Sequence, residues 1–224
     1  MNPNLFFTPT DILLPAHADM RRWSVIACDQ FTADAGYWQA VQDTVGDAPS
    51  TLRLMLPEFY LGKCDEAAAT REIQQTMRRY LDDGVFRTVP HGLVLVQRTL
   101  PGGAVRCGIV GALDLEAYDY APDSVTPIRA TEGTVASRLP ARVRIRAAAA
   151  LEMPHIMVFY SDPEDTIRQE AQAAAGETLY DFDLMSGGGH VRGLRIAGAK
   201  ADALAARLCA TGVGTDGAYP MRFA

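Results

Sequence analysis

Strands arranged in hairpins, interleaved with amphipathic helices but without strict β-α-β alternation, predict an α+β fold: a mixed sheet with hairpins and flanking helices. Two observations carry that class. Apolar, β-branched runs at 93–97 and 105–113 are separated by Pro101-Gly102-Gly103, and runs at 179–183 and 191–196 by Ser186-Gly187-Gly188-Gly189. Both spacings read as antiparallel hairpins. Around them, apolar residues recur at helical spacing, most clearly at Ile73, Met77, Tyr80 and Leu81.

Taken in order, the chain is irregular and proline-punctuated up to Pro15, and Trp23 to Asp29 reads as a short buried strand. Thr32 is placed to cap a helix over 34–45 with Tyr37, Trp38 and Val41 on one face, ended by Gly46 and Pro49. Leu52 to Leu56 reads as a brief strand stopped by Pro57. A helix over 65–81 follows, with Gly84 as its stop. After the first hairpin, Tyr118 to Asp123 is a loop, and short helices or turns are expected over 131–151 because glycine and proline interrupt it. His155 to Tyr160 reads as a buried strand closed by Pro163, followed by a helix over 164–175, the second hairpin, and a last helix over 199–208. Trp38, Tyr80, Val94, Val110 and Ile156 are the expected core.

Composition narrows the function classes. With 224 residues and 48% hydrophobic content the chain can bury a sizeable core and is read as one α+β domain. A net charge of -6 argues against sequence-independent nucleic-acid binding. The four cysteines (Cys28, Cys64, Cys107, Cys209) form no CxxC pair, so neither a zinc site nor a disulfide framework is indicated. No window approaches the roughly 18 apolar residues of a membrane span, and the expected setting is the cytoplasm.

The functional signal is concentrated between 128 and 146. Five arginines (Arg129, Arg138, Arg142, Arg144, Arg146) fall within 18 residues of an acidic chain that has only two lysines, Lys63 and Lys200. A guanidinium presents a fixed fork of donors suited to carboxylate or phosphate. Such a cluster reads either as a solvated basic face or as an oxyanion pocket. The near-absence of lysine and the punctuation by Thr131, Gly133 and Thr134, with Glu132 among them, favour the pocket.

Several segments are long and unusual: WSVIACDQF from Trp23, PSTLRLMLPEFYL from Pro49, GALDLEAYDY from Gly111, IRATEGTVASRLPARVRIR from Ile128 and YDFDLMSGGGHVRG from Tyr180. Through them the chain resembles a widespread bacterial and archaeal family of uncharacterised proteins, sometimes labelled ParB-like and often encoded beside serine-biosynthesis enzymes. The resemblance implies a ParB/sulfiredoxin-like fold, which also includes a free-serine kinase, and hence a nucleotide-dependent phosphotransferase acting on a small anionic or phosphorylated metabolite. In such relatives a Gly-Asp-Gly-Asn-His motif follows the position where this chain stops at Met221 to Ala224. The chain therefore resembles the N-terminal portion of a longer protein, with a strand edge left uncovered and a tendency to form homodimers.

On this reading Arg129, Thr131, Thr134, Arg138 and Arg142 hold phosphate, Glu132 binds Mg²⁺ or acts as base, and Asp29 completes the site. Asp29 reads equally as a turn aspartate, and Glu58, after Pro57, shares that ambiguity. Asp181 and Asp183 lie on one strand face and are candidate Mg²⁺ ligands beside a nucleoside phosphate, with His190 and Arg192 near the glycine turn as further anion ligands. A plain polar hairpin is the competing reading. His155 is read as structural, and Cys28 as a small buried strand residue. The competing functions are a non-catalytic ParB-like nucleotide-binding regulator and a phosphatase-type hydrolase, the latter suggested by the DxD spelling of Asp181-Phe182-Asp183.

Overall fold

The computed structural model describes residues 5–27, 31–121, 124, 126–130, 133, 135–160, 162–211 and 221–223, with only the backbone of 211 and 221–223. Strands β1 (Phe7–Thr8) and β2 (Thr10–Pro15) lead into a single helical turn, α1 (Met20–Trp23), capped by the Asp19 carboxylate, which accepts from the Arg21 N–H at 2.9 Å. Helix α2 (Ala35–Val45) is capped by Asp34, not Thr32, and ends at Gly46 with φ of +52°. Two 3₁₀ turns follow, Thr51–Leu54 capped by Ser50 and Glu58–Tyr60 after Pro57. Helix α3 (Glu66–Asp82) begins at Asp65, whose carboxylate accepts from the N–H groups of Ala67 and Ala68.

The long strand β3 (Phe86–Thr99) is followed by β4 (Val105–Val110), β5 (Ala112–Leu113), β6 (Tyr118–Asp119) and β7 (Ile128–Ala130). Then come a 3₁₀ turn, Ala136–Arg138, continuing into α4 (Leu139–Arg146), strand β8 (Val158–Phe159) and α5 (Thr166–Ala174). The last elements are β9 (Thr178–Asp183), β10 (His190–Ala197), α6 (Ala199–Thr211) and β11 (Met221–Phe223).

The main sheet is ordered β2-β3-β10-β9. Strand β3 is long enough to pair with β2 along its first half and with β4 along its second, Val94 lying opposite Val110. Both expected hairpins are present: β3 with β4, and β9 with β10, where His190 faces Asp183 and Arg192 faces Asp181. Leu93, Leu95 and Ile196 turn inward beneath α5 and α6, against Ile167, Ala171, Leu204 and Leu208. A second core joins Trp23, Leu54, Ile73, Met77 and Tyr80 with Ile145 of α4, and a third packs Tyr37, Trp38, Val41 and Val45 on Met185. The class is α+β.

Four local expectations are corrected. Trp23 closes a helical turn and residues 24–27 are irregular, because Asp19 supplies a cap that the apolar content of the segment conceals. Leu52 to Leu54 lie in a 3₁₀ turn, since the Ser50 hydroxyl accepts from the Leu52 N–H. The run from His155 to Tyr160 supplies only the two residues of β8, and Ile156 is 45% exposed instead of joining the core. Strand β11 is not an uncovered edge: it lies between β7, in parallel, and β8, antiparallel. Of the other expected core residues, Trp38, Tyr80 and Val94 are buried, and Val110 is half-buried.

Candidate functional site

Arg138, Arg142 and Arg146 are four residues apart, so one face of the turn-and-helix element at 136–146 presents all three guanidiniums. Gln74 of α3 fixes this element, donating to the carbonyls of Arg144 and Ile145 at 2.9 and 3.0 Å. Across from the arginines stands Glu58, the first residue of the 3₁₀ turn set by Pro57. Its Oε2 lies 3.1 Å from Arg138 Nη2 and its Oε1 2.9 Å from Arg142 Nη2. The Glu58 side chain is 20% exposed, whereas that of Arg142 is 55% exposed. One carboxylate is thus gripped by two guanidiniums, and Glu58 and Arg142 border a cleft.

That cleft, about 390 Å³ in volume, has Glu58, Arg142, Arg146 and His155 among its polar lining, and Trp38, Leu54 and Ile145 in its apolar floor. Arg146 bonds Glu152 and donates to the Pro154 carbonyl at 3.1 Å, which steadies the segment bearing His155. Desolvation lowers the pKa of His155, with Glu152 pulling the other way, so a neutral ring faces the cleft near pH 7. Arg144 turns away from this face to pair with Glu66 at the start of α3. Arg129, on β7, donates from Nε to the Thr126 carbonyl at 3.3 Å and is not part of the cleft lining.

The residues of the second hairpin form a separate cluster. His190 bridges two carboxylates, its Nε2 2.6 Å from Asp181 Oδ1 and its Nδ1 2.8 Å from Asp183 Oδ1. Arg192 Nε reaches Asp181 at 3.4 Å, and Arg21 of α1 reaches Asp183 at 3.4 Å. Hydrogen bonds that Asp183 and then Asp181 accept from the ring raise the pKa of His190, and the bond to His190 lowers that of Asp183. Asp181, His190 and Arg192 border a shallow groove of about 590 Å³ together with Gln97, Cys107 and Arg168. As they stand, both carboxylates face a histidine and an arginine, and no group of three or more metal-ligating side chains is found among the described residues. An all-oxygen magnesium shell would first have to displace these contacts. At the next paired position of the same two strands, Gly193 leaves room for Tyr180: a Cβ there would fall 2.2 Å from Tyr180 Cζ, and burial pushes the Tyr180 hydroxyl up to about 12.

The sequence-derived candidates are therefore divided. Arg138 and Arg142 share one site, while Asp181, Asp183, His190 and Arg192 share another. Asp29, Thr131, Glu132 and Thr134 lie outside the described residues. Glu58 emerges as the acid partner of the arginines, and Arg146 and His155 join it. The four-residue spacing of Arg138, Arg142 and Arg146 was the available signal for a shared face, but no sequence feature paired that face with Glu58.

A model of the family described as "Protein of unknown function (DUF1015)" matches residues 9–211. Comparison with curated proteins finds no match, and neither does comparison with solved structures. Among the described residues no helix is long and apolar enough to cross a membrane.

Proposed function

Given that the chain belongs to the DUF1015 family of proteins of unknown function, we propose that it binds a small phosphorylated or otherwise anionic metabolite in the cleft at Glu58, Arg138 and Arg142. We further propose that this cleft serves phosphoryl transfer from a nucleoside phosphate. The observation that supports the reading best is the sharing of Glu58 between two guanidiniums on one helix face, a pair of forked donors gathered beside the cleft. A phosphoryl group entering there competes with Glu58 for two forked guanidiniums carried on one helix face, a donor geometry suited to its oxygens. Positioning and charge neutralisation are most of what phosphoryl transfer asks of a protein. On this reading Glu58 accepts the proton of an incoming hydroxyl once the arginines turn to the phosphate. Magnesium accompanying the nucleotide would supply further neutralisation, and no step depends on Asp181 and Asp183 holding it.

The test has two parts. Titration with inorganic phosphate and with ATP should show binding that Arg142→Ala weakens about tenfold or more, and product analysis should show transfer of the phosphoryl group to a small acceptor instead of its release to water. Binding equal to the parent's in both Arg138→Ala and Arg142→Ala would overturn the site. Hydrolysis without transfer would favour the phosphatase reading, and binding without turnover the regulatory one.

A further inference from the structure

We infer that the ligand of this cleft joins its anionic group to an aromatic or heteroaromatic body, as in an aryl phosphate or a nucleoside monophosphate. This inference rests on the anion-site reading given above and adds the other half of the ligand. A volume of about 390 Å³ falls in the range of small-molecule sites, roughly 300–1,000 Å³, and exceeds what a phosphoryl group alone would fill. Glu58, Arg142, Arg146 and His155 supply most of the polar lining, and apart from Thr32 the remaining lining residues are apolar. Trp38 is buried beneath it, 2% exposed, while Met55 and Met153 are half-buried.

At the rim, Ile156 and Met157 are 45% and 62% exposed, although they follow directly on the segment that Arg146 and Glu152 hold in place. Large apolar side chains left in water beside a fixed cationic fork gain most from a partner that is charged at one end and apolar over its body. Three thioethers, those of Met55, Met153 and Met157, make that wall soft and polarisable, and sulfur contacts favour the edge of an aromatic ring over an aliphatic chain. A sugar phosphate with no aromatic part would set hydroxyls over its whole body against a mostly apolar wall, at a cost.

The experiment is equilibrium titration of the full chain with four probes: inorganic phosphate, butyl phosphate, phenyl phosphate and adenosine 5′-monophosphate. Parent, Met157→Ser, Ile156→Ser and Arg142→Ala proteins are compared. Both replaced apolar residues are exposed, so their variants should keep the fold, which circular dichroism checks. The expected result is that phenyl phosphate or the nucleotide binds at least about tenfold tighter than inorganic phosphate and tighter than butyl phosphate. Met157→Ser or Ile156→Ser should remove most of that advantage while leaving inorganic phosphate unchanged, and the tighter of the two aromatic probes tells a simple aryl body from a base. Equal affinities for all four, or an aromatic advantage that survives both serine variants, overturns the inference and spares the anion site. Loss of all binding in the parent, or indifference to Arg142→Ala, overturns the anion site and the inference with it.

Discussion

Replacing Glu58 with glutamine separates a ligand-binding arginine pair from a structural one. The carboxylate is shared by Arg138 at 3.1 Å and Arg142 at 2.9 Å, so in the unliganded protein it occupies the donors an anion would use. Both arginines are partly exposed, and each pair is worth roughly 0.2–1 kcal/mol to stability after solvent screening. The two together set an upper limit of about 2 kcal/mol, and glutamine keeps an acceptor oxygen, so Tm should fall by no more than about 8 °C for a chain of this size. Ligand affinity should move the other way. Removing one negative charge about 4 Å from the bound anion is worth roughly 1 kcal/mol even at the dielectric of bulk water, or about fivefold, and more where the cleft excludes water. Calorimetric titration of Glu58→Gln with phenyl phosphate at low ionic strength should therefore show affinity raised about fivefold or more, with the gain shrinking as salt is added. Phosphoryl transfer should fall in the same variant. An affinity that stays level or drops would refute the competition between Glu58 and ligand, and with it the anion site.

Other predictions follow from the surrounding structure. Trp38→Ala, at a position 2% exposed, should cost roughly 3–5 kcal/mol by denaturant unfolding; a loss under about 1 kcal/mol would contradict the packing of α2. Gly193→Ala places a Cβ 2.2 Å from Tyr180 Cζ and should lower Tm clearly, and combining it with Tyr180→Ala should recover part of the loss. His190 should titrate above the ordinary histidine value in the folded chain, because Asp183 and Asp181 favour its charged form. Its contribution to stability is thus fully present below about pH 6.5 and is lost as pH rises through the raised value. NMR titration that places His190 below the ordinary value, or a pH-stability profile unchanged by His190→Asn, would count against the carboxylate bridge.

Where periodicity and turn chemistry agreed, local sequence sufficed. The stripe of Ile73, Met77 and Tyr80 and the cap at Asp65 define α3, and the glycine-rich turns with their flanking apolar runs define both hairpins. Short apolar segments were less informative. Trp23 to Ala27, Leu52 to Leu56 and His155 to Tyr160 are apolar enough for strands, yet caps at Asp19 and Ser50 wind Trp23 and Leu52 to Leu54 into turns, and among the described residues the third segment pairs only with β11. Apolar content reports that a segment packs, and only period or pairing reports its shape. For the site, helical geometry alone puts Arg138 and Arg142 side by side. Their partner Glu58 stands 80 and 84 positions earlier and arrives through the packing of α3 on α4, a tertiary fact with no local trace. The same limit applies to Asp181 and Asp183: strand alternation places them on one face, but the register that sets His190 between them belongs to the folded hairpin.

The most direct measurement is an anomalous difference map from crystals of this chain soaked in tungstate, a heavy stand-in for phosphate. The account predicts a peak within hydrogen-bonding distance of the Arg138 and Arg142 guanidiniums, with Glu58 turned from at least one of them, and its loss in crystals of Arg142→Ala. Tungstate bound only elsewhere, with Glu58 still gripped by both arginines, would contradict it.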